Sequence, residues 1–295
     1  MPSTRLQLWL YLPSVLVLMA VLGDQGLLQG AGLAHSPATV AGWPWYGLVF
    51  GQPHIMGSGL LFLDGALRRP CQPLLQRAAV LAALACTLAL WLPEAWRDGL
   101  LIGWTLWHVV GQQAGLACGQ ARVASTAGAR AWKVTLALGT GVAAWAVGGE
   151  TLQSPQPDGP WLLWAGWALS ASVLPASWLL WQARRRGGDV RALLALQATA
   201  LLAYGCVLLG YAVFGVMLLR WTHDATAFAA YLAVVRQRRG RLAAAAFIPL
   251  SLLLSLATSA LLPGAVLLWM VLVHYLAEPA LWRAGSPLRR TLQPA

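Results

Sequence analysis

Ten apolar runs, each near the length that crosses a bilayer as a helix, follow one another along the chain and restrict its fold more than any other feature. About 20 helical residues span roughly 30 Å of hydrocarbon. Runs of that order lie at 6–23, 43–64, 74–93, 99–119, 132–148, 160–182, 190–209, 212–235, 243–260 and 262–283. The expected fold is therefore all-α, a polytopic transmembrane helix bundle forming a single integral membrane domain over 1–295. The seventh and eighth runs are nearly continuous, and a break is expected near Gly205 or Gly210.

The charges test this count. Only 10% of residues are charged against 59% hydrophobic, and 20 basic residues, all Arg except Lys133, give a net charge of +11. A nucleic-acid-binding surface would gather such residues on one face; here they form short clusters between apolar runs. Arg5; Arg68, Arg69 and Arg77; Arg122, Arg130 and Lys133; Arg184, Arg185, Arg186 and Arg191; Arg236, Arg238, Arg239 and Arg241; and Arg283, Arg289 and Arg290 fall at every second boundary. The alternate connections hold Asp24, Glu94, Asp98, Glu150 and Asp158, with Arg97 as their one base. By the positive-inside rule, this predicts ten spans with both termini cytoplasmic, in a bacterial inner (plasma) membrane.

A second reading of the N-terminus takes Arg5, the first apolar run and GLAHS as a signal peptide cleaved after Ala34. The four cysteines, Cys71, Cys86, Cys118 and Cys206, lack CxxC spacing and read as inert thiols. Trp45, Trp104, Trp107, Trp164, Trp167 and Trp181 read as interface anchors or packing residues, and RQRRGR at 236–241 as a topological signal with affinity for anionic lipid headgroups.

The histidines carry the functional argument. His35 falls in an external loop, whereas His54, His108, His223 and His274 fall in the second, fourth, eighth and tenth runs, all directed from outside to inside. Each is roughly ten residues from the outer end, which at about 1.5 Å per residue is close to the bilayer midplane. Ionisable residues at that depth are rare and costly. Four of them at one depth predict one site.

Polar neighbours accompany each of the four. Ser58, Gln112 and Glu278 stand four residues after His54, His108 and His274, hence on the same helix faces, while Asp224 follows His223 and Arg220 precedes it by three. Metal-bound imidazoles usually donate their second N–H to such groups. Tyr211, Tyr231 and Tyr275 could line a pocket or simply pack. Pro53 removes a backbone donor just before His54 and suggests a kink opening a cavity.

Neutral imidazoles suit iron, copper or zinc. Fe(II) held by the four histidines would leave positions open for O₂ and make a non-haem iron dioxygenase or monooxygenase, an oxidoreductase acting on a lipophilic small molecule such as a lipid, isoprenoid or carotenoid. Glu278 and Asp224 would be catalytic, and Gln112, Ser58, Arg220 and Tyr275 would support the ligands. Bis-histidine haem fits less well, because two haems would need histidine pairs at two depths. Interhelical hydrogen bonding is the bland alternative for each histidine. A transporter or proton-coupled carrier using buried His, Asp and Glu without metal is the functional one.

The Pro-His of GQPHIMGSG, followed by single histidines on later helices, resembles the Brp/Blh family of membrane carotene 15,15'-dioxygenases, which cleave β-carotene to retinal. That resemblance implies a ferrous ion held by His54, His108, His223 and His274. The sequence departs from the family at Ile55, where the family has glycine after its Pro-His, and at its C-terminal helices, where His274 and Glu278 stand in place of a His-x-x-x-His pair. HDATAFAAY and HYLAEPALWR are closer to uncharacterised polytopic bacterial membrane proteins. Membrane lipids are the other expected partners, with no nucleic acid; the sequence names no protein partner.

Overall fold

A computed structural model describes residues 3–35, 51–123, 126–147, 160–282 and Ser286, and every regular element among them is an α-helix. In chain order these are α1 (Ser3–Leu27), α2 (Ala31–Ala34), α3 (Gln52–Leu61), α4 (Gly65–Ala89), α5 (Glu94–Gln120), α6 (Ala127–Ala146), α7 (Pro160–Arg185), α8 (Arg191–Leu208), α9 (Ala212–Leu261) and α10 (Gly264–Trp282). Residues 43–50 of the second apolar run, with Trp45, lie outside the described residues, as do Glu150, Asp158, Arg283, Arg289 and Arg290.

Every apolar run coincides, in its described part, with a helix, but length and composition qualify five helices among the described residues as candidate membrane spans. They are Trp9–Leu27 of α1, then α4, α7, α8 and α9, with Gly264–Pro279 as a shorter apolar helix. The difference from ten has physical causes. The described part of α3 has 10 residues, about 15 Å of helix. α5 carries Glu94, Arg97 and Asp98 in its first turns and Gln112, Gln113 and Gln120 further on. α9 joins two apolar runs in one element of 50 residues, broken where Gly240 takes φ 88°. The chain is accordingly of the multi-pass membrane type. Helix faces turned away from protein agree: Val80, Leu81, Leu84 and Leu88 of α4 and Leu250, Leu253 and Leu256 of α9 are exposed, as lipid-facing side chains are where no water needs excluding.

Local sequence explains the helix ends. Asp64 caps α4 by accepting the Ala66 N–H at 2.9 Å, and Thr126 caps α6 by accepting that of Ala129 at 3.3 Å. The nearly continuous run 190–235 breaks at Gly210, whose φ of 86° is left-handed backbone that side chains disfavour. Gly205 stays inside α8.

The described residues group into two compact units. The first contains α3, α4, α9 from Asp224 onward, and α10; the second contains α1 from Gln7, α2, α5 to α8, and α9 as far as His223. In the first, α10 packs on α4 and α3, and Leu61, Leu67, Val234, Phe247 and Leu281 surround Tyr231. Gly57 lets α3 approach α9, since a Cβ there would lie 3.2 Å from the Phe228 ring and 3.3 Å from Ser251 Oγ. In the second, α6 packs closely on α7, and a Cβ on Gly139 would lie 2.6 Å from Leu169 Cγ. Close approach through small residues is the usual packing mode within membranes. A polar link joins three helices there: Trp132 Nε1 donates to Gln197 Oε1 at 2.8 Å, and Gln197 Nε2 donates to Ser172 Oγ at 2.9 Å. Cys71 and Cys206 are buried, Cys86 and Cys118 half-buried, and none is in a disulfide.

Candidate metal centre

Three helices of the first unit bring their polar side chains to one buried point. α3 supplies His54 and Ser58, α10 supplies His274 and Glu278, and α9 supplies Tyr231 and Phe228. Both α3 and α10 use the four-residue spacing that stacks side chains on one face. Pro53 sits in the first turn of α3, where a missing N–H costs nothing, so it starts this helix and does not kink it. It thereby sets His54 at the very end of the helix.

The three ionisable groups face one another directly. His54 Nε2 lies 3.2 Å from Glu278 Oε1, and His274 Nε2 lies 3.2 Å from Glu278 Oε2. The two imidazoles meet edge to face with ring centroids 4.8 Å apart. Tyr231 donates its phenol O–H to Glu278 Oε1 and stacks on His54, ring centroids 5.5 Å apart and planes 11° from parallel. Phe228 packs edge-on against the same imidazole at 6.0 Å. Glu278 retains 1% of its surface and His54 none, so water does not solvate the carboxylate.

Ser58 determines how a neutral His274 presents itself. Its hydroxyl has one proton, which it donates to the Ile55 carbonyl at 2.8 Å, and its oxygen lies 2.8 Å from His274 Nδ1. With its proton given to Ile55 the oxygen accepts from Nδ1–H, and in that tautomer Nε2 of a neutral His274 carries a lone pair. That lone pair faces a carboxylate oxygen. Two electron-rich atoms in this position call for a cation between them, either a proton or a metal ion.

The donor set passes a simple test of fit. The ligand atoms offered by His54, His274 and Glu278 lie within 4.8 Å of one another. Ligands each about 2.1 Å from one ion stand at most roughly 4.2 Å apart, so closure requires movements below about 1 Å. A cavity of about 370 Å³ adjoins the group. Ser58, His274 and Glu278 form its polar end, and the remaining wall includes Met56, Leu60, Leu254, Met270 and Val273. Trp269, also in that wall, donates Nε1–H to the Ala79 carbonyl at 2.9 Å, so its indole presents only apolar surface to the cavity.

The expected site residues are distributed over both units. The first unit unites His54, His274, Glu278 and Ser58, but Ser58 serves His274 and not the His54 of its own helix face. Tyr275 is buried with its ring 5.7 Å from that of His274, and Asp224 is buried in the same unit. In the second unit His108 and His223 meet edge to face at 5.2 Å, Arg220 is buried, and Gln112 is half-buried on α5. Sequence reasoning left Tyr231 as a residue that could line a pocket or simply pack, with no part in holding Glu278. The available signal was its place seven residues after Asp224, two turns along one helix face.

Two imidazoles and a carboxylate, buried together beside an apolar cavity, define the class of a candidate transition-metal centre. Comparison with known family models, with curated proteins and with solved structures gives no match, so the geometry alone supports the functional reading.

Proposed function

We propose that the chain is a membrane-embedded non-haem iron oxygenase acting on a lipophilic substrate, with Fe(II) held by His54, His274 and Glu278. The observation that carries this reading is the convergence of those three groups within 4.8 Å, out of water, at the polar end of an apolar cavity. Two histidines and one carboxylate with remaining positions open is the donor set of non-haem Fe(II) oxygenases. When bound, ferrous iron would supply the one-electron chemistry that allows O₂ to react with an unactivated substrate.

The chain's own residues do the rest. Ser58 holds Nδ1–H of His274 and keeps Nε2 available as a ligand, the supporting contact most metal-bound imidazoles have. The cavity wall admits a hydrocarbon segment and excludes competing water. Asp224, buried in the same unit, would move protons, and Tyr275 would support His274. His108 and His223, with Gln112 and Arg220, enter as the further ligands and supports that a four-histidine site would require. The arginine clusters support ten spans with cytoplasmic termini in a bacterial inner membrane, and lateral entry of the substrate from lipid.

Iron analysis of detergent-purified protein, reconstituted anaerobically with Fe(II), tests the proposal. The wild type is expected to hold close to one iron per chain, and His54→Ala, His274→Ala and Glu278→Ala to lose it. Loss from His108→Ala and His223→Ala as well would extend the ligand set to all four histidines. A wild type that binds no transition metal would sink the oxygenase and leave the metal-free carrier, with transport depending on Glu278 and Asp224.

A further inference from the structure

Tyr231 touches two of the three proposed ligands, each in a different way. Its hydroxyl donates to Glu278 Oε1 and its ring lies nearly parallel to His54. The residue is completely buried, and its ring is held by Phe228, Phe247 and Trp282, with centroids at 6.2, 6.3 and 6.4 Å. A side chain fixed on three sides by aromatic rings has little rotational freedom, so its hydroxyl marks a fixed place for one carboxylate oxygen. Oε2, the other oxygen, is turned toward His274 Nε2.

We infer that Tyr231 is a positioning residue of the metal centre: it holds the Glu278 carboxylate through Oε1, the oxygen that also faces His54 Nε2 at 3.2 Å, and it fixes the plane of His54 by stacking. The inference rests on the metal reading above. Outer contacts of this kind typically change metal affinity 10–100-fold.

The test uses Co(II) as the probe, added to the full-length protein in detergent, with binding followed by its visible absorption. Tyr231→Phe keeps the stacked ring and removes the hydroxyl, and is expected to weaken cobalt binding about 10–100-fold and to change the band shape and intensity that report coordination number. Phe228→Leu loosens the ring packing on His54 and Tyr231 but leaves the Tyr231 hydroxyl on Glu278, and is expected to weaken cobalt binding less than Tyr231→Phe does. Replacing tyrosine throughout by 3-fluorotyrosine, which keeps the rings and strengthens the phenol as a donor, is expected to alter the wild-type spectrum and not that of Tyr231→Phe; this arm needs no disruptive change in the wild type.

Wild-type affinity and spectrum in Tyr231→Phe would overturn the inference, as would equal losses in Tyr231→Phe and Phe228→Leu, which would reduce Tyr231 to packing. A wild type that binds no cobalt overturns the metal reading together with this inference. Wild-type binding that is insensitive to the hydroxyl overturns this inference alone.

Discussion

Ser58→Ala separates the metal site from the fold it sits in. The substitution removes one oxygen that accepts from His274 Nδ1 at 2.8 Å and donates to the Ile55 carbonyl. In the metal-free protein the imidazole has an alternative: its proton moves to Nε2 and is donated to Glu278 Oε2, 3.2 Å away. The stability loss is then that of ordinary hydrogen bonds, about 0.5–1.5 kcal/mol each. With metal bound that alternative closes, because Nε2 is committed and the proton must stay on Nδ1, which has lost its acceptor. A buried donor left without an acceptor costs about 1–3 kcal/mol, so affinity is expected to fall roughly 10–100-fold, at about 1.4 kcal/mol per decade. Cobalt titration of the variant beside the wild type reads the affinity, the metal-free melting temperature reads the stability, and nitrogen NMR of labelled histidine reads the tautomer directly. A variant that keeps wild-type affinity, or whose His274 still carries its proton on Nδ1 without metal, would refute the reasoning.

Other expectations concern the frame around the site. Gly139→Ala is expected to destabilise by about 1–3 kcal/mol, since its Cβ would stand 2.6 Å from Leu169 Cγ and 3.1 Å from the Ala165 carbonyl oxygen; an unchanged melting temperature would mean that α6 and α7 have more room than this. Trp132→Phe removes the N–H donated to Gln197 and is expected to cost about 1–3 kcal/mol, read as a lower melting temperature; an unchanged one would mean that this link does not hold α6 to α8. Asp64 forms an ion pair with Arg238, Nε to Oδ2 at 2.6 Å, and that guanidinium holds its carboxyl below the ordinary carboxylate range. A depressed pKa stabilises above the ordinary value and loses its effect as pH falls through the folded value, so wild-type stability is expected to drop on acidification below about pH 4. Asp64→Asn should lack that component, which is under about 1 kcal/mol because the pair is partly solvated, and identical pH profiles would dismiss it.

How much of this was legible beforehand depends on the range of each interaction. The helices were, because apolar runs report burial in lipid residue by residue; even the break at Gly210 was among the two places expected. His274 with Glu278 was legible because a four-residue spacing on a helix is a local fact. The pairing of Ser58 with His274 was not, since it depends on how α3 meets α10, and local spacing pointed to His54 instead. Tyr231 was visible only as an aromatic residue on an apolar face, which packing explains equally well. The joining of two apolar runs into α9 was hidden by the arginines at 236–241, which mark a boundary but not whether the helix bends or stops there.

The choice between a metal site and a proton-coupled carrier turns on what surrounds Glu278. A carrier must pass its ion along successive polar groups or a wetted path. Tyr231 and two imidazoles face this carboxylate, and the adjoining cavity continues as hydrocarbon wall past Met56, Leu60, Leu254 and Val273. Another polar cluster of α3 and α9 in this unit centres on Gln52, which donates to Thr258 at 2.9 Å and accepts from Ser259 at 2.7 Å. An ion leaving Glu278 into that cavity would lose its solvation at once, at a cost of several kcal/mol or more. A hydrocarbon entering it would lose nothing and would bring its reacting atoms to the polar end. The same apolar wall that obstructs transport therefore favours chemistry on a lipophilic molecule, provided the cation between the imidazoles and the carboxylate is a metal and not a proton. Stoichiometric metal, lost on replacing Glu278 and weakened on replacing Ser58, is the result that reading requires.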